Sequence, residues 1–282
     1  MILITDVQEA PGAQILNAFV GLQQPENIRI LLPPGADSSF YEIQNIDFVT
    51  GNLCDHPSLD KAMKNVETLV ITHSNLLSDL RCGYTNLMYT ALGAGVKHVI
   101  YLSSILVGNS SCILAEEDME TENVIRKSGI LYTILRPNIL MEQMPMFIGD
   151  PVATGEILFP GGNGRISFTS AEAVAEIVLY FAQNRPKVSA TYKISNDISH
   201  SFTDVADILS SIVEMPIHYS PVETSFFKES LLNECMPESL TDRIVSVAES
   251  IGNNEFDVPD FTLFRLLERR DKEREEECKK TF

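Results

Sequence analysis

Asp118 and Glu122 stand four residues apart in the stretch AEEDMETE, a spacing that stacks two carboxylates on one face of a helix. In a partly desolvated cleft two such acids do not both ionise cheaply, so one pKa rises and the pair can act as general acid and base. The same residues also read as an acidic first turn (Glu116, Glu117, Asp118, Glu120, Glu122) that complements the helix dipole. His73, in LVITHSN, offers a proton shuttle or a hydrogen-bond donor, or it simply faces water. His98 opens an apolar run and reads as structural. Asn138 and Glu142 follow the run YTIL, where Glu142 is also placed to cap the next segment. Met141 and Met144, in MEQMPMF, are core or the pliable wall of a pocket for an apolar ligand. The chemistry on offer is proton transfer beside a greasy surface.

The elements that position these groups begin with the first twenty residues. Met1 to Thr5 is a short apolar run, and Gly12 to Val20 carries Ala13, Ile15, Leu16, Phe19 and Val20 at helical spacing. Strand, tight turn and helix in that order open a dinucleotide-binding βαβ unit. Such a turn normally holds three glycines. Aligned on Gly12 as the third, the first two positions are Asp6 and Glu9. Two carboxylates where a phosphate would sit add bulk and like charge, so the loop reads as degenerate.

Further strands are expected at Ile28 to Leu32, Ile46 to Val49, Leu69 to Thr72, Val99 to Leu102 and Tyr132 to Leu135. Helices are expected at Pro57 to Lys64, Asp79 to Gly95 and Ala115 to Lys127. This alternation predicts an α/β fold, a Rossmann-like doubly wound parallel sheet. Beyond Pro151 the pattern loosens: helices at Ala171 to Gln183 and Phe202 to Val213, and strands at Ile166 to Phe168, Thr191 to Ser195 and Ile217 to Ser220. Residues 1–150 are therefore assigned to the Rossmann-like unit, and 151–282 to a smaller α/β C-terminal lobe interleaved with it. The ligand cleft lies between them.

Composition bounds the partners. A formal net charge of −18 over 282 residues argues against a nucleic-acid partner, which needs a basic face. No apolar run approaches the roughly 20 residues of a bilayer span. Five scattered cysteines show neither metal-ligand spacing nor a disulfide framework, which favours a cytoplasmic setting and no metal. The expected assembly is a monomer or a homodimer.

Four phrases then carry a family likeness: GVKHVIYLSS (95–104), ENVIRKSGILYTILRPNILMEQMP (122–145), FPGGNGRISFTS (159–170) and SFTDVADILSSIVEMPIHYSPV (201–222). They resemble the NmrA-like branch of the atypical short-chain dehydrogenase/reductases, over residue 1 to about 265. The resemblance implies substrate over the ends of the fourth, fifth and sixth strands, with Ser104 and the Asp118–Glu122 pair at the cleft mouth. Glu122 matches the Glu of a His-x-x-x-Glu common in relatives, and Asp118 replaces its His. The arginine that relatives place after the second strand for the NADP 2′-phosphate is here Pro33, and Asn52 and Ala173 replace two further acidic residues.

The expectation drawn from these losses is an enzyme without a cofactor. It would be an isomerase, a cyclase or an epoxide-opening catalyst for a hydrophobic small molecule of secondary metabolism. Asp118, Glu122, His73 and Ser104 would be catalytic, and Asn138, Glu142, Met141 and Met144 would bind substrate. The alternatives are an NADP(H)- or NAD(H)-dependent reductase of the quinone-reductase type and a non-catalytic regulatory sensor.

Overall fold

A computed structural model of the chain describes residues 1–8, 10–21, 25–72, 81–110 and 112–281. In chain order its elements are β1 (Ile2–Ile4), α1 (Gly12–Val20), β2 (Ile28–Leu32), α2 (Ser39–Ile43), β3 (Asp47–Thr50), α3 (His56–Ala62), β4 (Thr68–Ile71) and α4 (Arg81–Ala94). Then follow β5 (His98–Leu102), α5 (Ile113–Lys127), β6 (Leu131–Pro137), α6 (Met144–Ile148), α7 (Pro151–Thr154), β7 (Glu156–Phe159), β8 (Arg165–Ile166) and α8 (Ala171–Gln183). The chain closes with β9 (Ala190–Ile194), β10 (His200–Ser201), α9 (Phe202–Val213), β11 (His218–Pro221), α10 (Thr224–Asn233), α11 (Glu238–Gly252) and α12 (Thr262–Thr281).

Seven parallel strands form one sheet in the order β3-β2-β1-β4-β5-β6-β9. The central strands are apolar along their whole length because helices cover both faces. Side chains alternate between those faces: Ile4, Val70 and Ile100 pack under α1 and α8, whereas Leu3, Leu69, Val99 and Tyr101 pack on the opposite face with Leu87 of α4 and Ile125 of α5. The strand order reverses between β1 and β4, and a crevice opens there at the strands' C-terminal ends.

The fold class expected from the sequence is the one observed. The smaller lobe gathers on a second core, in which Phe159, Phe202 and Phe227 meet Ile157, Ile244 and Ile251 and which Ile105, Leu114 and Ile139 of the first 150 residues share, while α8 and β9 join the main sheet. β7 pairs with β11 in parallel, and β8 with β10 in antiparallel. Arg243 of α11 grips Glu117 of α5 through two bonds of 2.9 and 2.6 Å, tying this lobe to the sheet. Among the described residues no helix is long and apolar enough to cross a membrane.

Candidate active site

The turn between β1 and α1 is built by backbone geometry. Thr5 N–H donates to Val70 O at 3.1 Å, and Thr5 Oγ1 donates to Thr72 O at 3.0 Å, so the ends of β1 and β4 are laced together. Asp6 adopts φ +49°, the left-handed region that glycine usually supplies and that Asp tolerates better than most residues. Gly12 is required: a Cβ there would stand 2.0 Å from Asp6 O and 2.9 Å from Thr72 Oγ1. Pro11 precedes α1, with no side-chain cap and no acid in the first turn, so no side chain among the described residues closes that helix end. Asp6 acts on the neighbouring Tyr84 phenol, which burial first and then the Asp6 charge push well above its ordinary value. Glu9 and His73 lie outside the described residues.

Beside this turn a cleft of about 80 Å³ is lined by Pro11, by Leu102, Ser103 and Ser104 at the end of β5, and by Pro137 and Asn138 at the end of β6. Ile139, Leu140, Gln143, Leu114 and Phe147 continue the wall, and Val247 and Phe256 close it from the smaller lobe. None of these described residues carries an ionisable side chain. Ser104 Oγ accepts from Leu106 N–H at 3.2 Å, and its own O–H has no acceptor among the described residues. Gln143 Oε1 accepts from Leu140 N–H at 3.2 Å, which leaves its amide NH₂ as a second donor group on the wall.

The carboxylate pair lies behind that wall. Asp118 is 1% exposed and accepts from Tyr101 Oη at 2.5 Å; burial first, then the Asp118 charge, push the Tyr101 phenol well above its ordinary value. Glu122 is 0% exposed and is held by Arg136 at 2.8 and 2.7 Å, by Arg126 at 2.5 Å and by Ser103 Oγ at 2.5 Å. Burial alone would raise the Glu122 pKa, but the hydrogen bonds of Arg136 and Ser103 and the Arg136 charge outweigh it and hold the carboxyl below its usual value. Glu122 is therefore an ionised anchor. A general acid with a raised pKa is not what this environment makes of it, because each carboxylate has its own donors and they share no proton.

The other sequence candidates also have settled partners. Asn138 is buried; it donates to Ser195 Oγ and Phe256 O and accepts from Ile139 N–H, pinning the end of β6 to the lobe. Glu142 receives Ala171 N–H at 3.0 Å on both oxygens and so caps α8. Met141 is exposed, and Met144 packs on the smaller lobe's core; neither lines the cleft. His98 is fully buried with Nε2 2.9 Å from Thr133 Oγ1. Burial, then the Arg185 charge, lower its pKa to about 4, so it is a neutral core residue. Of the catalytic candidates placed by the structure, Ser104 alone faces the cleft.

Arg136 and Gln143 were not among the sequence candidates. Arg136 sits in RPN, which reads as a strand stop, and it meets the buried Glu122, 14 residues away, only through the packing of α5 on β6. Gln143 gave no signal in the sequence.

The family model described as NmrA-like family matches residues 31–279. Quinone oxidoreductase 2 of Escherichia coli is 26% identical over 86% of this chain and 85% of its own length. The NAD(P)H azoreductase of Xenophilus azovorans is 22% identical over 86% of this chain and 84% of its own. Among solved structures, an NADPH-dependent quinone oxidoreductase of Escherichia coli complexed with NADPH superposes with a TM-score of 0.87 at 22% identity, covering 94% of both chains. These relatives overturn the expectation of a cofactor-independent isomerase or cyclase, since they are reductases that use a nicotinamide cofactor. The geometry supplies the reason. The expected proton-transfer pair is buried behind the wall, Asp118 bonded to Tyr101 and Glu122 ion-paired with Arg136, and Asp6, read as blocking the phosphate, holds the left-handed turn at φ +49°.

Proposed function

Because the chain belongs to the NmrA-like family, we propose that it is a nicotinamide-dependent reductase delivering two electrons to a flat, largely apolar acceptor of the quinone or azo class. The observation that carries this reading is the cleft lining: apolar walls and neutral hydrogen-bond donors, with no ionisable side chain among the described residues. Isomerisation by acid–base catalysis needs a titrating group within reach of the substrate. Reduction of an electrophilic acceptor does not.

The turn fits the pyrophosphate of a dinucleotide. Its left-handed first residue, its sterically required Gly12 and the open first turn of α1 present main-chain N–H groups at the positive end of a helix. When bound there, the nicotinamide supplies a hydride. The chain's own residues do the rest. Leu102, Leu140, Phe147 and Phe256 hold an apolar ring and keep water from its face. The Ser104 hydroxyl and the Gln143 amide are placed to donate to the acceptor's oxygen or nitrogen, where negative charge gathers as the hydride arrives. With no acid among the described residues of the wall, the proton that completes the product comes from water.

The test is calorimetry with NADH and NADPH, followed by anaerobic assay of benzoquinones, naphthoquinones and azo dyes, reading loss of nicotinamide absorbance against product formed. Binding together with acceptor-dependent oxidation is expected. Failure of both nucleotides to bind would sink the reading.

A further inference from the structure

The half-sheet β1 to β3 is the part of such a fold that receives the adenosine end of a dinucleotide, and here it has almost no positive charge. Arg29 is the only arginine or lysine in the first sixty residues. It is already engaged: Nε and Nη2 meet Asp47 Oδ2 at 2.7 Å, and Nη1 donates to Ala62 O at the end of α3 (3.0 Å) and to Lys64 O just beyond it (2.7 Å). It also sits near the far end of β2, three residues before Leu32, where the strand leaves for the ligand edge.

Beyond Leu32 the exposed turn Pro33-Pro34-Gly35 lies on the same sheet edge as the β1–α1 loop, since Ile30 pairs with Ile4. A 2′-phosphate on the adenosine ribose needs a cationic fork at such a place. The chain offers acids instead. Asp37 is exposed and accepts from Ser39 N–H at 2.9 Å and Ser39 Oγ at 2.5 Å; these bonds hold its carboxyl below the usual range. Ser38 Oγ donates to Glu42 Oε1 at 2.7 Å. Both hydroxyls that could serve a phosphate are therefore turned to carboxylates.

Resting on the reductase reading above, we propose that this chain takes NADH in preference to NADPH, with the segment from Pro33 to Glu42 as the element that selects against a 2′-phosphate. A free ribose 2′-hydroxyl can donate to Asp37. A phosphomonoester sets one and a half to two negative charges, roughly, against the same carboxylate, with no arginine or lysine in the segment to receive them.

Calorimetric titration of the wild-type chain with NADH and with NADPH, without acceptor, tests this directly. NADH should bind about tenfold or more tightly, the scale of one missing charge-assisted contact. Added salt should narrow the ratio by screening the repulsion. Pro33→Arg, at an exposed position, should raise NADPH affinity and reverse that salt trend. Should this variant not fold, Asp37→Asn asks the same question by removing the repelling charge. Equal or tighter NADPH binding by the wild type overturns the inference and leaves the reductase reading standing. A ratio unmoved in a folded variant overturns the assignment to this segment. Binding of neither nucleotide overturns both.

Discussion

Replacing Glu122 with glutamine keeps the shape of the side chain and removes the charge that Arg136, Arg126 and Ser103 converge on. Breaking a buried ion pair costs about 3–5 kcal/mol, mostly the penalty of the partner left behind. Arg136 is 18% and Arg126 34% exposed at the side chain, so both recover some hydration, and Arg126 behaves more like a surface pair worth under about 1 kcal/mol. The low end applies, about 3 kcal/mol. For a chain of this size that lowers Tm by about 5 °C. The native carboxyl is held below its ordinary value of 4.5, so its contribution is complete above about pH 4.5 and is lost as pH falls through the lower native value. The gap in Tm between wild type and Glu122→Gln should therefore be flat from neutral pH down to about 5 and close below that, as read by scanning calorimetry. Equal melting at neutral pH, or a gap that widens on acidification, would mean that the carboxyl is protonated in the fold. The anchoring role would then be wrong.

Three further outcomes follow from single contacts. His98 has its pKa lowered from 6.5 to about 4 by burial and then by Arg185. From pH 6.5 down to about 4 the unfolded chain takes up a proton that the native one refuses, so stability falls by about 3 kcal/mol; His98→Gln should flatten that window in pH-dependent denaturant titrations. Gly12→Ala drives a Cβ to 2.0 Å from Asp6 O, and should cost about 2 kcal/mol or more and abolish dinucleotide binding, checked by melting and calorimetry on the same sample. Tyr101→Phe takes a 2.5 Å donor from the buried Asp118 and should cost about 2 kcal/mol; a variant as stable as wild type in urea would refute that contact's weight.

The sheet was legible because parallel strands covered on both faces are written as unbroken apolar runs: IRILL, TLVI and HVIYL all appear as strands within a residue of where they were expected. α2 was missed because SFYEI buries one residue, Tyr41, too few to show a period. Strand β6 runs on to Pro137 where a stop was expected at Arg136, since a proline ends a strand without breaking a ladder that no longer needs its N–H. The acid pair was placed on the right helix, yet its environment was not readable. Tyr101 lies 17 residues from Asp118, and Arg136 lies 14 from Glu122. Only the β5–β6 pairing and the packing of α5 decide that these groups meet the acids, and whether a carboxylate becomes an acid or an anchor depends on that meeting.

The loop was misjudged for a different reason. A glycine fingerprint is a list of residue types, but what it encodes at each position is a backbone property: a left-handed turn, a close approach and a tight packing of helix on strand. Gly12 keeps the third by steric necessity. Asp6 keeps the first, because Asp is one of the few residues that enter the left-handed region at modest cost. The charge that came with Asp6 acts on the buried phenol of Tyr84, 78 residues further along the chain, which burial and then that charge push well above its ordinary value. Loss of glycine at that position therefore removed a residue type and left the conformation standing. No comparable rescue exists at the end of β2. There the missing feature is a side-chain cation, which backbone geometry cannot supply. The NADH preference proposed above turns on that difference between a backbone property and a side-chain charge.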